Sequence, residues 1–155
     1  MAQTLAASYS DRMVIPETLG KMVQAGSLGR KSGRGFYLHA KGKSPQPNFE
    51  LTSSRRLAGQ IPDLQQRMVL LMVNEAARCL EEEVVREPAD VDFAMIMGTG
   101  FAPFRGGPLR YADAVGAAAL IDAMDRLVQC GAAHFAPCAL LRTMAAGGKN
   151  FYHNQ

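Results

Sequence analysis

The chain has 155 residues, of which 48% are hydrophobic and 20% charged, and its formal net charge at pH 7 is +3. This composition supplies enough apolar residues for the buried core of one domain and excludes an intrinsically disordered chain. No apolar run approaches the roughly 20 residues of a membrane-spanning helix, and no signal-peptide pattern is present, so we expect a cytoplasmic protein.

Positive charge is concentrated in the first part of the chain. Residues 1–60 carry a net charge of +6, and residues 61–155 carry a net charge of −3. The basic, Gly-rich stretch Arg30–Lys43 could attract a phosphate, a nucleic acid or the anionic tail of CoA. A solvated loop is the simpler interpretation, and we favour it and expect no nucleic-acid partner.

Proline and glycine punctuate the chain in a way typical of helices. Proline favours the first helical position, and glycine favours the residue after the last turn. Gly35–Leu38 could form a short extended stretch, but no alternating apolar and polar run is long enough for a convincing strand. The predicted class is therefore all-α, with six helices at Pro16–Gly26, Pro62 to about Val84, Pro88–Gly98, Pro108–Gly116, Ala117–Gly131 and Pro137–Gly147.

Acidic residues help to place two helix ends. Glu81–Glu83 would oppose the dipole in the interior of the longest helix, so we expect that helix to end near these residues. Asp90 and Asp92 stand in the first turn of the next predicted helix, where the dipole favours carboxylates.

A short pattern occurs twice in the chain. Leu19–His39 and Leu141–His153 each contain Leu and Met three residues apart, a glycine stop, basic residues and Phe-Tyr with a nearby histidine. A long series of predicted helices precedes the second copy, whereas little precedes the first. A repeated tail on one domain would explain this, but we favour a chain cut from a longer parent. Truncation predicts an orphaned apolar face near Met13–Ile15.

Glycine-rich motifs give no nucleotide site. Gly98-Thr99-Gly100 has Pro103 where a dinucleotide-binding loop requires its third glycine, and it follows a helical pattern instead of a strand. Gly33-Arg34-Gly35 fails for the same reason. We therefore expect this chain to bind no cofactor.

Histidine and cysteine give no catalytic or metal site either. No His or carboxylate lies three or four residues after any of the three histidines, and the cysteines lack CxxC spacing. We interpret the cysteines as core thiols. We therefore predict no catalytic, cofactor-binding or metal-binding role for His39, His134, His153, Cys79, Cys130 or Cys138, and we assign no such residue elsewhere in the chain.

Asn74 and Glu75 are the most unusual polar residues, because they lie in the apolar stretch of the longest helix. A buried Glu75 could serve as a general acid or base with a raised pKa. More often such a pair forms hydrogen bonds with the backbone of a Gly-rich turn, here Gly98–Gly107. We favour the structural role.

The segment Phe101–Pro108 predicts a rigid turn into a helix start, flanked by Arg105 and Arg110. Free backbone N–H groups at such a start can hold an anion. The turn could equally pack one helix pair against another.

Four segments together resemble the C-terminal helical region of 3-hydroxyacyl-CoA dehydrogenases, in particular of bacterial multifunctional fatty-acid oxidation α-subunits. The similarity extends from about Asp11 to Tyr152, and its most specific part is the third segment. The segments are Gly29–Tyr37, Asn74–Glu82, Gly98–Asp113 and Pro88–Met95.

The resemblance implies a 6-phosphogluconate dehydrogenase C-terminal-like helical fold and NAD-dependent oxidation of 3-hydroxyacyl-CoA by a parent enzyme. It implies that residues 1–50 are the tail of a first helical repeat and residues 51–155 a second repeat. The family's catalytic His and Glu and its NAD-binding glycines belong to an upstream Rossmann domain. A catalytic-region Asn-Arg pair of the family corresponds to Gln66-Arg67 here, so no catalytic residue carries over.

Two functions remain open at this point. The chain could be a packing or dimerisation domain that supports the acyl-CoA cleft of such an enzyme and is inactive by itself. Alternatively, it could be a freestanding helical module that oligomerises or binds CoA through Arg30–Lys43, without catalysis. A coding sequence that continues upstream into a Rossmann domain would favour the first hypothesis.

Overall fold

The computed structural model describes residues 2–9, 12–50 and 61–152. The chain forms two compact units, residues 1–60 and residues 61–155. Seven α-helices, labelled α1 to α7, account for most of the described residues, which confirms the all-α class. No helix in these ranges is long and apolar enough to cross a membrane.

The first unit contains two short helices and a small hairpin. Helix α1 spans Ala2–Ser8 and was not predicted, whereas helix α2, Glu17–Gln24, confirms the predicted helix after Pro16. Strands β1, Tyr37–Leu38, and β2, Gln46–Pro47, pair antiparallel, so the extended stretch was also predicted correctly.

The first unit leaves much of its apolar surface uncovered. Met22 is the buried residue of α2, while Val14 is 66% exposed. Met13 and Ile15 are partly buried, so the predicted apolar face is exposed only in part. All five cations of the basic stretch are exposed, as the solvated-loop interpretation predicts; they are Arg30, Lys31, Arg34, Lys41 and Lys43.

The second unit contains five helices that pack against one another. The pattern of proline and glycine predicted all five. They are α3 (Ile61–Glu81), α4 (Pro88–Thr99), α5 (Pro108–Val115), α6 (Ala117–Gln129) and α7 (Ala139–Gly147). Helix α3 ends at Glu81, and Glu83 takes a left-handed conformation with φ 56°, which confirms the end expected from the acidic run.

Helix α7 begins later than predicted. Pro137 and Cys138 precede the helix, and Cys138 is its extended N-cap. The backbone N–H of Cys138 donates to Asn74 Oδ1 over 2.9 Å. A contact from another helix therefore sets the start of α7. The position of Pro137 in the sequence could not predict this contact.

The core of the second unit lies where α3, α5, α6 and α7 meet. Leu109, Met124, Leu141 and Val73 are fully buried there. Their burial is the main stabilising contribution, because each large apolar side chain removed from water contributes about 1.5–3 kcal/mol.

The cysteines do not all belong to this core. Cys138 is buried in it, and burial raises the pKa of its thiol. Cys79 is partly buried against the core, but Cys130 is exposed at the end of α6. The expectation of three core thiols is therefore wrong for Cys130, because the C-cap of α6 projects it beyond the packed face.

Candidate functional site

The turn between α4 and α5 is organised by a buried carboxylate, Asp92, which is 3% exposed. Its Oδ1 accepts the backbone N–H of Leu109 at 2.7 Å, and its Oδ2 accepts that of Arg110 at 3.0 Å. Both N–H groups lie in the first turn of α5, where helical residues have no intrahelical acceptor. Asp92 therefore caps α5 from 17 residues away along the chain.

This contact corrects the predicted anion site. The start of α5 does hold an anion, because its first backbone N–H groups are free to donate and lie at the positive end of the helix dipole. That anion is the protein's own Asp92 carboxylate, so Arg105 and Arg110 do not flank an anion site at this helix start. The packing alternative is the correct one here.

The end of the described chain is attached to the same turn. The Tyr152 hydroxyl donates to Asp92 Oδ2 at 2.7 Å, and the Arg110 guanidinium carbon lies 3.5 Å from the centre of the Tyr152 ring. Asp113 accepts the backbone N–H groups of Phe151 and Tyr152 at 2.8 and 2.9 Å. Side chains of α4 and α5 therefore hold Phe151 and Tyr152 at the turn.

The two copies of the repeated pattern are held by different partners. Both place a buried methionine on a short helix, Met22 and Met144. In the first copy, however, Asn48 Nδ2 donates to the Gly35 carbonyl, and the Asn48 N–H donates to the Phe36 carbonyl. In the second copy, carboxylates of α4 and α5 form the hydrogen bonds that hold the Phe-Tyr segment. The repeat is therefore visible in sequence, but its anchoring is not.

Burial and the hydrogen bond to Asp92 raise the pKa of Tyr152. The unfolded chain ionises this phenol near its ordinary pKa of about 10, while the folded chain keeps it protonated to higher pH. The stability that the phenol contributes should therefore be complete below pH 10 and decline above it. In urea unfolding, we expect the stability difference between the wild type and Tyr152→Phe to shrink from pH 8 to pH 11; a constant difference would contradict this.

Asn74 has a structural role, as predicted, but with a different partner. Its Nδ2 donates to the Ala136 carbonyl at 2.9 Å, and its Oδ1 accepts the Cys138 N–H. The expectation that it binds Gly98–Gly107 is wrong, because the folded chain brings the start of α7 to this face of α3. Asn74 thus joins two helices about 60 residues apart.

Glu75 is not the buried acid or base that its apolar neighbours suggested. Its side chain is 51% exposed and lies 4.0 Å from the Arg78 guanidinium. One residue along the helix rotates the side chain by about 100°, so Asn74 points inward and Glu75 outward.

The two glycine motifs lie at positions in the fold where they cannot form an NAD-binding loop. Gly98 and Thr99 end helix α4, and Gly100 is its left-handed C-cap. Gly33 caps a short 3-10 turn before the hairpin. A dinucleotide loop must instead lead from a strand into a helix whose start is free for the pyrophosphate. The described residues therefore build no such loop.

The histidines occupy separate places. His39 is partly buried, and its backbone N–H donates to the Gly33 carbonyl. The His134 ring lies 4.6 Å from that of Phe135, and His153 lies outside the described residues. In the ranges that the structure describes, no three His, Cys, Asp or Glu side chains are grouped to hold a metal ion.

An open groove lies between the first half of α3 and the turn that joins α4 to α5. Its volume is about 830 Å³, and its lining includes Met68, Met72, Phe101, Arg105 and Tyr111. Gln66 also lines it. The neighbouring Arg67 instead places its guanidinium 5.9 Å from the centre of the Phe135 ring.

The known proteins that this chain resembles are enzymes of fatty acid oxidation. A family model described as 3-hydroxyacyl-CoA dehydrogenase, C-terminal domain, matches residues 64–153. Fatty acid oxidation complex subunit alpha from Vibrio vulnificus (strain CMCP6) is 38% identical over 156 residues, covering 97% of this chain and 22% of the relative. The protein of the same name from Shewanella amazonensis (strain ATCC BAA-1098 / SB2B) is 38% identical, covering 96% and 22%. The chain thus spans about a fifth of the length of these relatives.

Proposed function

The chain belongs to the 3-hydroxyacyl-CoA dehydrogenase C-terminal domain family, and we propose that it is the packing domain of an NAD-dependent dehydrogenase. The parent enzyme would oxidise 3-hydroxyacyl-CoA to 3-ketoacyl-CoA in the cytoplasm. The chain would support the acyl-CoA cleft, while the Rossmann domain upstream would supply NAD binding and catalysis.

Helix α4 supplies the observation that carries this proposal. Val91 on its inner face is buried, yet Phe93 and Met97 on another face are 67% and 70% exposed. These two residues are four apart, so they form one stripe along the helix. Apolar residues on both the inner and the outer face of a helix indicate that other parts of a protein pack against both faces. We call Phe93 and Met97 the α4 stripe.

We propose that the first helical repeat of the parent covers the α4 stripe. In this proposal residues 1–50 are the tail of that first repeat, and residues 51–155 are the second repeat. Two repeats in one chain bury apolar faces that neither can bury by itself. A homodimer formed through the same stripe is the competing arrangement.

A chimera tests the proposal. This chain replaces the matching 22% of the Vibrio vulnificus subunit, and NAD reduction with 3-hydroxybutyryl-CoA and the midpoint of thermal unfolding are measured. We expect the chimera to be folded and active and this chain alone to give no turnover. Phe93→Glu with Met97→Glu should lower the unfolding midpoint of the chimera by several degrees, because two carboxylates would lose hydration at a packed face.

Val84→Glu is the matched control, because Val84 is 67% exposed but lies outside α4. It should leave the chimera unchanged. Turnover by this chain alone, or a chimera that does not fold, would exclude the proposed function. A chimera insensitive to the α4 variants would exclude the stripe as the packing surface, and concentration-dependent dimerisation of this chain that the same variants abolish would favour the homodimer.

A further inference from the structure

The first unit carries a cluster of positive charge that the fold does not neutralise. Residues 18–49 contain six Lys or Arg side chains and no Asp or Glu. Five of the six are exposed, and among the residues that the structure describes none of these five forms an ion pair. Like charges without partners create a positive surface potential. We call these five side chains the basic cluster; they are Arg30, Lys31, Arg34, Lys41 and Lys43.

Exposed apolar and aromatic side chains lie in the same segment. They are Leu28, Phe36, Tyr37, Leu38 and Phe49. An antiparallel bridge pairs Arg34 with Leu38, and residues paired in this way project their side chains to the same face. A cation and an aliphatic side chain therefore stand next to each other on this surface, which is amphipathic.

The backbone that carries these side chains is held in one conformation. Ser32 Oγ accepts the Leu28 N–H at 2.8 Å and donates to the Arg34 carbonyl at 2.9 Å. The buried Asn48 side chain donates from Nδ2 to the Gly35 carbonyl at 2.9 Å. A fixed backbone loses less conformational entropy when its side chains bind a partner. The surface is therefore better organised than a flexible basic linker.

Two kinds of polyanion could be attracted to this surface, and the apolar side chains distinguish between them. Single-stranded nucleic acid is held by cations and by aromatic rings on which its bases stack. Leu28 and Leu38 have no aromatic face and add nothing to base stacking. A bilayer interface accepts Leu, Phe and Tyr side chains together, while its anionic headgroups attract Lys and Arg. The composition of the surface therefore favours lipid.

We propose that the basic cluster, together with Phe36, Tyr37 and Leu38, binds the surface of a membrane that contains anionic lipid. The cations lie against the headgroups, and the apolar side chains enter the interfacial region without crossing the bilayer. The proposal goes beyond the packing function and does not depend on it. It uses the first unit, whereas the α4 stripe belongs to the second unit.

Sedimentation of the full chain with lipid vesicles tests the proposal. Vesicles of phosphatidylcholine are compared with vesicles in which about a third of the lipid is phosphatidylglycerol, which gives a negative surface potential. We expect binding to the anionic vesicles to be at least about tenfold stronger, and to weaken as salt screens the charges.

A pair of variants with the same change in net charge separates the basic cluster from charge in general. Lys31→Gln with Arg34→Gln should weaken binding to the anionic vesicles by about tenfold or more, because each cation near the lipid contributes to the attraction. Arg126→Gln with Lys149→Gln removes two exposed cations from the second unit and should leave binding unchanged. All four residues are exposed, so far-ultraviolet circular dichroism should show an intact fold in both variants.

Tyr37→Ser with Leu38→Ser removes apolar side chains without a change in charge and should weaken binding severalfold, because less apolar area enters the interface. Equal binding to the two kinds of vesicle, no binding to either, equal effects of the two charge variants, or insensitivity to the serine variant would each overturn the proposal. A single-stranded oligonucleotide that binds more tightly than the anionic vesicles, and is lost in the Lys31 and Arg34 variant, would assign the surface to nucleic acid instead. None of these outcomes bears on the packing function.

Discussion

Gly107→Ala is expected to destabilise the second unit by more than about 4 kcal/mol, the range of an exceptional single substitution. Gly107 has φ +108°, a conformation that alanine rarely adopts, and a Cβ there would collide with the Asp92 side chain. The substitution would therefore combine backbone strain of about 1–3 kcal/mol with displacement of the carboxylate that caps α5. Urea unfolding followed by far-ultraviolet circular dichroism measures the loss.

Two other glycines separate these contributions. Gly116 has φ +90° with no atom within 4 Å of a built Cβ, so Gly116→Ala should show the strain alone, about 1–3 kcal/mol. Gly98 lies inside α4 with no such atom and no positive φ, so Gly98→Ala should be neutral or stabilising by up to about 1 kcal/mol. If Gly107→Ala is no worse than Gly116→Ala, the close approach to Asp92 contributes nothing.

Asp92→Ala should destabilise the chain by about 3 kcal/mol or more, because it removes one acceptor group from three donors at once. The Leu109 and Arg110 N–H groups lose their cap, and the Tyr152 hydroxyl loses its partner. Leu109 is fully buried, so water cannot replace the lost bond there. Thermal unfolding and amide hydrogen exchange at Leu109 measure the effect.

Asp90→Ala is the matched control, since Asp90 is an exposed carboxylate in the first turn of the same helix. It should change stability by about 1 kcal/mol or less, through the helix dipole alone. Asp92→Asn keeps an acceptor but loses the charge, and should fall between the two. Equal effects of Asp90→Ala and Asp92→Ala would show that only the charge of α4 matters, not the cap on α5.

The fold class and the positions of six helices follow from local patterns in the amino-acid sequence. Proline restricts φ and lacks an N–H, and glycine accepts the left-handed conformation, so both act on the residues beside them. Such local effects are readable without a structure, as the bounds of α4 and α5 demonstrate. The family resemblance was equally accessible, because its motifs are contiguous in the chain.

The partners of the polar residues, in contrast, depend on how the helices pack. Asp92 stood in a favourable place on α4, yet its main partners lie on α5 and at Tyr152. The sequence predicts a structural role for Asn74, but its partner is Ala136 instead of the Gly-rich turn. A hydrogen bond depends on an approach within about 3 Å of atoms that can be 60 residues apart. That approach is fixed by how the helices pack, which no local pattern in the chain reports.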